Sequence, residues 1–198
     1  MSQELTCFKA YDIRGRIPDE LNEDIAYRIG RAYAAYLKPE RVVVGHDIRL
    51  SSPAMSEALS RGLMDGGADV YDIGECGTEE VYFATSEFGM DGGIAVTASH
   101  NPKDYNGMKL VREESKPISG DTGLKDIKRL AEQGEFPAPA RQGSYHTLDH
   151  MARYVEHLLG YVDARGAAPI NFFVGALQCV TPTILIVQAG DDPTAISA

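Results

Sequence analysis

From Asn22 onward, apolar side chains fall at Ile25, Ile29, Tyr33, Tyr36 and Leu37, with acidic Glu23 and Asp24 at the front and Pro39 behind. That spacing predicts an amphipathic helix entered through acids and closed by proline. The run 41–45 (RVVVG) then predicts a buried strand. Ser52 as a cap with Pro53 at the first helical position opens a second helix, carried by Met55, Leu59 and Leu63 until Gly66 and Gly67 stop it. Residues 69–74 (DVYDIG) predict another strand. Thr78, Glu79 and Glu80 start a third helix, with acids where the helix dipole favours them.

A third apolar strand over 93–98 (GIAVTA) delivers Ser99 at its carboxyl end, and Asn106-Gly107 predicts a turn before a neighbouring strand over 108–111. Leu124, Ile127, Leu130 and Ala131 give a further helix, followed by a Pro- and Ala-rich stretch over 136–140. Met151, Tyr154, Val155, Leu158 and Leu159 form one more helical stripe, leading out of the first domain, and 170–174 reads as the first strand of something new. Strand and helix alternate, which predicts a mixed, mostly parallel sheet with helices on both faces. Such sheets bind ligands beyond the carboxyl ends of their strands. Here three post-strand loops, 47–52, 74–78 and 99–105, are expected to share one rim.

Composition narrows the choice of function. The 198 residues are 43% hydrophobic and 24% charged, which fits a packed core. A formal net charge of -10 opposes nucleic-acid or anionic-membrane partners, which need a basic face. Any phosphate ester must therefore be held locally, by a few Arg, Lys and backbone N–H groups. Cys7, Cys76 and Cys179 show no metal-type spacing and read as reduced thiols. The N-terminus has no signal-peptide pattern. The longest aliphatic run, 184–187, is far short of the roughly 20 apolar residues that span a bilayer. A cytoplasmic location without membrane contact is the expectation.

Ser99 lies between a buried strand and the turn His100-Asn101-Pro102, where proline stiffens the loop. By residue type it fits a turn serine bonding its own backbone as well as an exposed reactive hydroxyl. Lys109, ten positions on, reads by pattern alone as a surface lysine on an edge strand. Acting near neutrality, a lysine needs a nearby cation or desolvation. Arg14, in the string Tyr11-Asp12-Ile13-Arg14-Gly15, has the planar fork suited to phosphate oxygens. The acids of 74–80 fit a rim block or simply a helix start. His100 follows Ser99 directly, and neighbouring side chains on an extended segment point apart. With no Gly-x-Ser-x-Gly elbow, a Ser-His hydrolase pair is not expected. Gly-x-Gly-x-x-Gly and P-loop patterns are also absent.

The full string Thr97-Ala98-Ser99-His100-Asn101-Pro102-Lys103-Asp104-Tyr105-Asn106-Gly107-Met108-Lys109 closely resembles the active-site loop of the α-D-phosphohexomutases. Residues 5–161 resemble their first domain, most like that of the bacterial phosphomannomutases. Tyr11 to Gly15 resembles the family's N-terminal block, and Gly45-His46-Asp47-Ile48-Arg49 its Gly-x-Asp-x-Arg element. The resemblance implies a three-layer α/β/α domain with Ser99 as a phosphoserine, Lys109 as general acid/base and Arg14 as the cation beside it. It implies that His100 contacts the phosphoryl group or the sugar. Tyr11 and Asn101 would bind or support substrate phosphate, and Asp47 and Arg49 would brace the loop. It further implies interconversion of hexose 6-phosphate and hexose 1-phosphate, mannose or glucose, through a hexose 1,6-bisphosphate that also serves as activator. Catalysis then comes from positioning and charge stabilisation.

Mg2+ is implied through the Ser99 phosphate, but the Asp-Gly-Asp-x-Asp-Arg loop that completes its shell in the family has no match here. The sugar-contacting Gly-Glu-x-Ser-x-His loop and the phosphate-binding Arg-x-Ser-x-Thr-Glu block are missing as well. Family members have four domains and are roughly twice this length or more. The expected organisation is a first domain over 1–148, a connecting helix and first strand of a second domain over 149–174, and a divergent tail over 175–198. Two readings stand side by side: a phosphomannomutase-type enzyme, and a catalytically incomplete first domain that at most binds phosphate or a partner.

Overall fold

The computed structural model describes residues 4–161. The expectations for 170–174 and for the tail fall outside them. A six-stranded sheet runs in the order β1-β5-β4-β2-β3-β6. Its strands are β1 (Ile13–Arg16), β2 (Arg41–His46), β3 (Asp69–Glu75), β4 (Gly92–Val96), β5 (Tyr105–Arg112) and β6 (Tyr145–Thr147). The pairs β4/β2, β2/β3 and β3/β6 are parallel, while β1/β5 and β5/β4 are antiparallel. The sheet is mixed and mostly parallel, as the alternation of strand and helix implied.

Helices α1 (Glu23–Leu37), α2 (Ser52–Asp65) and α4 (Lys125–Gln133) cover one face, and α3 (Thr78–Glu87) covers the other. Between the helices and β2, β4 and β5 lies a core built on Ile29, Tyr33, Leu59, Leu63, Val44, Ile94 and Met108, all fully buried. A smaller core under α3 gathers Val43, Ile73, Cys76, Val81, Ala84 and Ala95. Asn22 caps α1 by accepting the Ile25 N–H at 3.0 Å, just ahead of the two acids. The last helix, α5 (Met151–Leu159), packs against α3 through Phe83, whose ring lies 5.2 Å from Tyr154 and 4.9 Å from His157.

Several local expectations are corrected. Asn106-Gly107 is not a turn but the second and third residues of β5; the chain reverses in the preceding 98–104 loop. Asn106 is fully buried, and its side chain donates to Ser51 and Ser52 Oγ at 2.8 and 2.9 Å. Those side-chain bonds hold a turn-prone pair in a strand. Ser52 is the first residue of α2 rather than its cap, and its hydroxyl serves Asp47 instead of the helix end. Helical and period-two patterns gave no sign of β1 or β6, both of four residues or fewer.

Edge strand β6 is clamped to β3 by Asp69. Arg141 donates to both carboxylate oxygens at 2.8 Å, and Ser144 adds its N–H and hydroxyl at 2.8 and 2.7 Å. The Arg141 guanidinium first, then Ser144, hold the Asp69 carboxyl well below the usual carboxylate range. A depressed folded-state pKa gives stability that is present above the unfolded pKa of about 3.9 and lost as pH falls toward the folded value. Asp69→Asn is therefore expected to flatten the decline of thermal stability below about pH 4, read from melting temperature against pH.

Candidate active site

The carboxyl ends of β2, β3 and β4 open on one rim. The three loops expected there enclose a cavity of about 180 Å3, lined by Gly45, His46, Asp47, Cys76, Gly77, Thr78, Glu79, Thr97 and Ser99. Ser99 stands three residues beyond β4, with its N–H donating to Thr97 Oγ1 at 2.8 Å and its φ at 53°. A left-handed backbone at a residue with a Cβ is uncommon, and it persists only where surrounding bonds enforce it.

Arg49 supplies that enforcement. Its Nη1 donates to the carbonyls of Pro102 and Tyr105 at 2.8 and 3.0 Å, and its Nη2 to those of Ser99 and Asn101 at 2.9 and 2.6 Å. One rigid guanidinium thus fixes four carbonyls of the serine loop, a task matched to its planar fork. Asp47 neutralises it, with Oδ2 3.3 Å from Nε, and both side chains are about 95% buried. Asp47 Oδ1 accepts the Arg49 N–H at 3.1 Å and the Ser52 hydroxyl at 2.5 Å. Through Ser52 the network reaches Asn106 on β5. The bracing geometry thus joins the loop after β2, the start of α2 and the serine loop.

On the β1/β5 side, Arg14 pairs with Gly107 in the ladder, and the Gly107 carbonyl accepts the Thr97 N–H at 2.9 Å. Lys109 lies two residues along β5, opposite Ala95, so Arg14 and Lys109 share one sheet face. Asp12 sits between them, accepting from Arg14 Nη2 at 2.6 Å and lying 4.0 Å from Lys109 Nζ. The Asn101 carboxamide, with its oxygen turned to Arg14, accepts from Nη1 and Nε at 2.9 Å each. Arg14 is thereby tied both to the serine loop and, through Asp12, to Lys109.

His100 departs from the expectation. Because Ser99 is left-handed rather than extended, the imidazole turns back, and Nδ1 lies 3.4 Å from Ser99 Oγ. Tyr11 is 82% exposed, and no hydrogen bond or ring contact ties it to the other candidates among the described residues. Asp12, Ser52, Asn106 and Thr97 were not singled out from the sequence as site residues. Asp12 stood inside the Tyr11–Gly15 string, where the expectation fell on Arg14 and Tyr11.

A magnesium ion wants about six oxygen ligands in near-octahedral geometry. Among the described residues no group of three or more His, Cys, Asp or Glu side chains gathers, and a phosphate on Ser99 would supply only one side of the shell. These residues do not by themselves fit the ion.

Residues 5–138 match the family model described as phosphoglucomutase/phosphomannomutase, alpha/beta/alpha domain I. The chain belongs to the phosphoglucomutase/phosphomannomutase family. It is similar to a phosphomannomutase of Escherichia coli, 62% identical over 176 residues that cover 87% of this chain and 39% of that protein. It is also 64% identical over 155 residues to a phosphomannomutase of Klebsiella pneumoniae, covering 77% of this chain and 99% of that relative. Among solved structures, a phosphoglucomutase/phosphomannomutase family protein of Burkholderia thailandensis superposes with a TM-score of 0.72 at 38% identity, over 81% of this chain and 36% of that one. The chain thus spans well under half the length of the E. coli relative. A second family model, described as AmiS/UreI family transporter, matches residues 155–198, a minor part of the chain. No helix among the described residues is long and apolar enough to cross a membrane.

Proposed function

We propose that this chain provides the phosphoryl-carrying domain of a phosphohexomutase of the phosphomannomutase type, with Ser99 as the carrier. The observation that carries the proposal is the left-handed Ser99, held on a shared rim by the four-carbonyl grip of Arg49. A carrier of this kind needs its oxygen fixed for in-line transfer, and fixing it in advance lowers the barrier without further chemistry.

In the first half of the reaction a hydroxyl oxygen of the hexose monophosphate attacks the phosphorus of phosphorylated Ser99. The hydroxyl proton passes to Nζ of Lys109 as general base, and the bond from phosphorus to Ser99 Oγ breaks. His100 Nδ1, 3.4 Å from Oγ, is placed to return a proton to that oxygen. The hexose 1,6-bisphosphate then presents its other phosphate, and the same steps run backwards to recharge Ser99. Arg14 and Asn101 face the transferring group from the β1 side, with Asp12 linking Arg14 to Lys109. Mg2+ belongs to the family's chemistry in general. Mannose and glucose phosphates are both candidate substrates, with 1–148 as the carrier domain and 149–174 leading toward a second.

The described residues form one wall of a site, and this favours a second reading for the 198 residues taken alone: phosphoryl acceptance without mutase turnover. A coupled assay of mannose 1-phosphate to 6-phosphate conversion, primed with the bisphosphate, separates the readings. Turnover that Ser99→Ala abolishes establishes the enzyme. Phosphoryl uptake on Ser99 without turnover establishes the carrier domain.

A further inference from the structure

We propose that His150 is a positioning residue for the Ser99 site: through Glu80 it holds closed the 74–78 wall of the cavity beside the serine. The inference rests on the reading of Ser99 above and adds a residue far from it in sequence. Glu80 and His150 are 2% and 5% exposed, and His150 Nε2 donates to Glu80 Oε2 at 2.8 Å. The other carboxylate oxygen, Oε1, accepts the Gly77 N–H at 2.8 Å. Gly77 precedes α3 and, with Cys76 and Thr78, walls the cavity that Thr97 and Ser99 close from the other side. The Cys76 N–H also donates to the His46 carbonyl at 2.8 Å, tying the wall to the end of β2.

One carboxylate therefore joins two tasks, the start of α3 and the entry of α5. His150 immediately precedes α5, which is seated on α3 by the Phe83 ring contacts and by an ion pair between Arg153 and Glu87. A buried carboxylate that loses an N–H donor turns toward water. Turning Oε2 outward swings Oε1 away from Gly77, and the wall loosens. Where α5 sits is thereby transmitted to the serine's cavity.

Cys76 offers a readout independent of phosphoryl chemistry. It is 4% exposed, and burial first, then the charge of Glu80, pushes its thiol above the ordinary range. Cys7, fully buried in the core on the other face, is the internal reference. The purified full chain is treated with iodoacetamide and the alkylated cysteines are mapped by peptide mass. His150→Phe keeps a ring but removes the donor, and is expected to speed Cys76 alkylation about tenfold while leaving Cys7 unchanged. His150→Gln restores an N–H at similar reach and is expected to return Cys76 to within about threefold of the parent.

Unchanged Cys76 in His150→Phe would overturn the inference. So would parallel acceleration of Cys7, or a failure of His150→Gln to restore protection. On the serine side, phosphoryl uptake from hexose 1,6-bisphosphate is expected to slow about tenfold in His150→Phe and recover in His150→Gln. A parent that takes up no phosphoryl group sinks the Ser99 reading, and Cys76 still judges the His150 link. If His150→Phe does not fold, the Gly77 amide of the parent decides: slow hydrogen exchange is expected, and exchange at the rate of an open loop contradicts the link.

Discussion

Arg49→Ala is expected to lower the stability of the described domain by about 3–5 kcal/mol, the usual cost of stripping one partner from a buried ion pair. The guanidinium and the Asp47 carboxylate are both about 95% buried, so the aspartate left behind stays in a poorly solvated place beside an emptied volume. Four loop carbonyls lose their donor at the same time. With that grip gone, Ser99 has no reason to remain left-handed, and phosphoryl uptake is expected to fall at least about a hundredfold even under conditions where the variant is folded. Arg49→Lys keeps the charge but reaches with a point rather than a fork, so it should recover part of the stability and little of the uptake. Urea unfolding and the rate of Ser99 phosphorylation, measured on the same preparations, separate the two effects. Full uptake by Arg49→Ala would remove the guanidinium from the account of the loop.

Gly107→Ala is the second large effect. A Cβ at this position would stand 2.2 Å from the Ile13 carbonyl oxygen and 2.9 Å from that of Thr97. Both contacts are backbone on neighbouring strands, and no side-chain rotation relieves them. β1 and the extension of β4 must move apart, for a cost of about 3 kcal/mol and a fall in melting temperature of roughly 6–12 °C. The same displacement separates Arg14, opposite Gly107, from Asn101 on the serine loop. Loss of uptake is therefore expected to exceed what the fall in stability explains at temperatures well below the melt. A variant that melts normally would show that the strands tolerate a methyl group there.

The long elements were legible because their patterns are long. Ile25 to Leu37 reads as a helix at any inspection of period, and 41–45 as a buried strand, since these segments bury a continuous face. β1 and β6 were not, because strands of four and three residues carry too few side chains for a period to show. Asn106-Gly107 misled for a physical reason. Local turn preference was outweighed by two buried hydrogen bonds from the Asn106 amide to serines more than fifty residues earlier. The strings around Ser99, Arg14 and Arg49 lie far apart in sequence, and the fold brings them together through the Arg49 grip on the serine loop and the Asn101 contact with Arg14. Nothing in a one-dimensional reading tells that Arg49 reaches four carbonyls, or that His150 meets Glu80 across seventy residues. The turn of His100 toward Ser99 followed from a positive φ that residue type alone would not suggest.

The central claim is that Ser99 accepts a phosphoryl group because its loop is fixed for the purpose. The measurement that tests it most directly is intact mass of the purified chain after incubation with hexose 1,6-bisphosphate, followed by peptide mapping, with Ser99→Ala alongside. The account predicts a single phosphate adduct that maps to Ser99 and is absent from Ser99→Ala. No adduct on the folded parent, or an adduct that persists in Ser99→Ala, would contradict it.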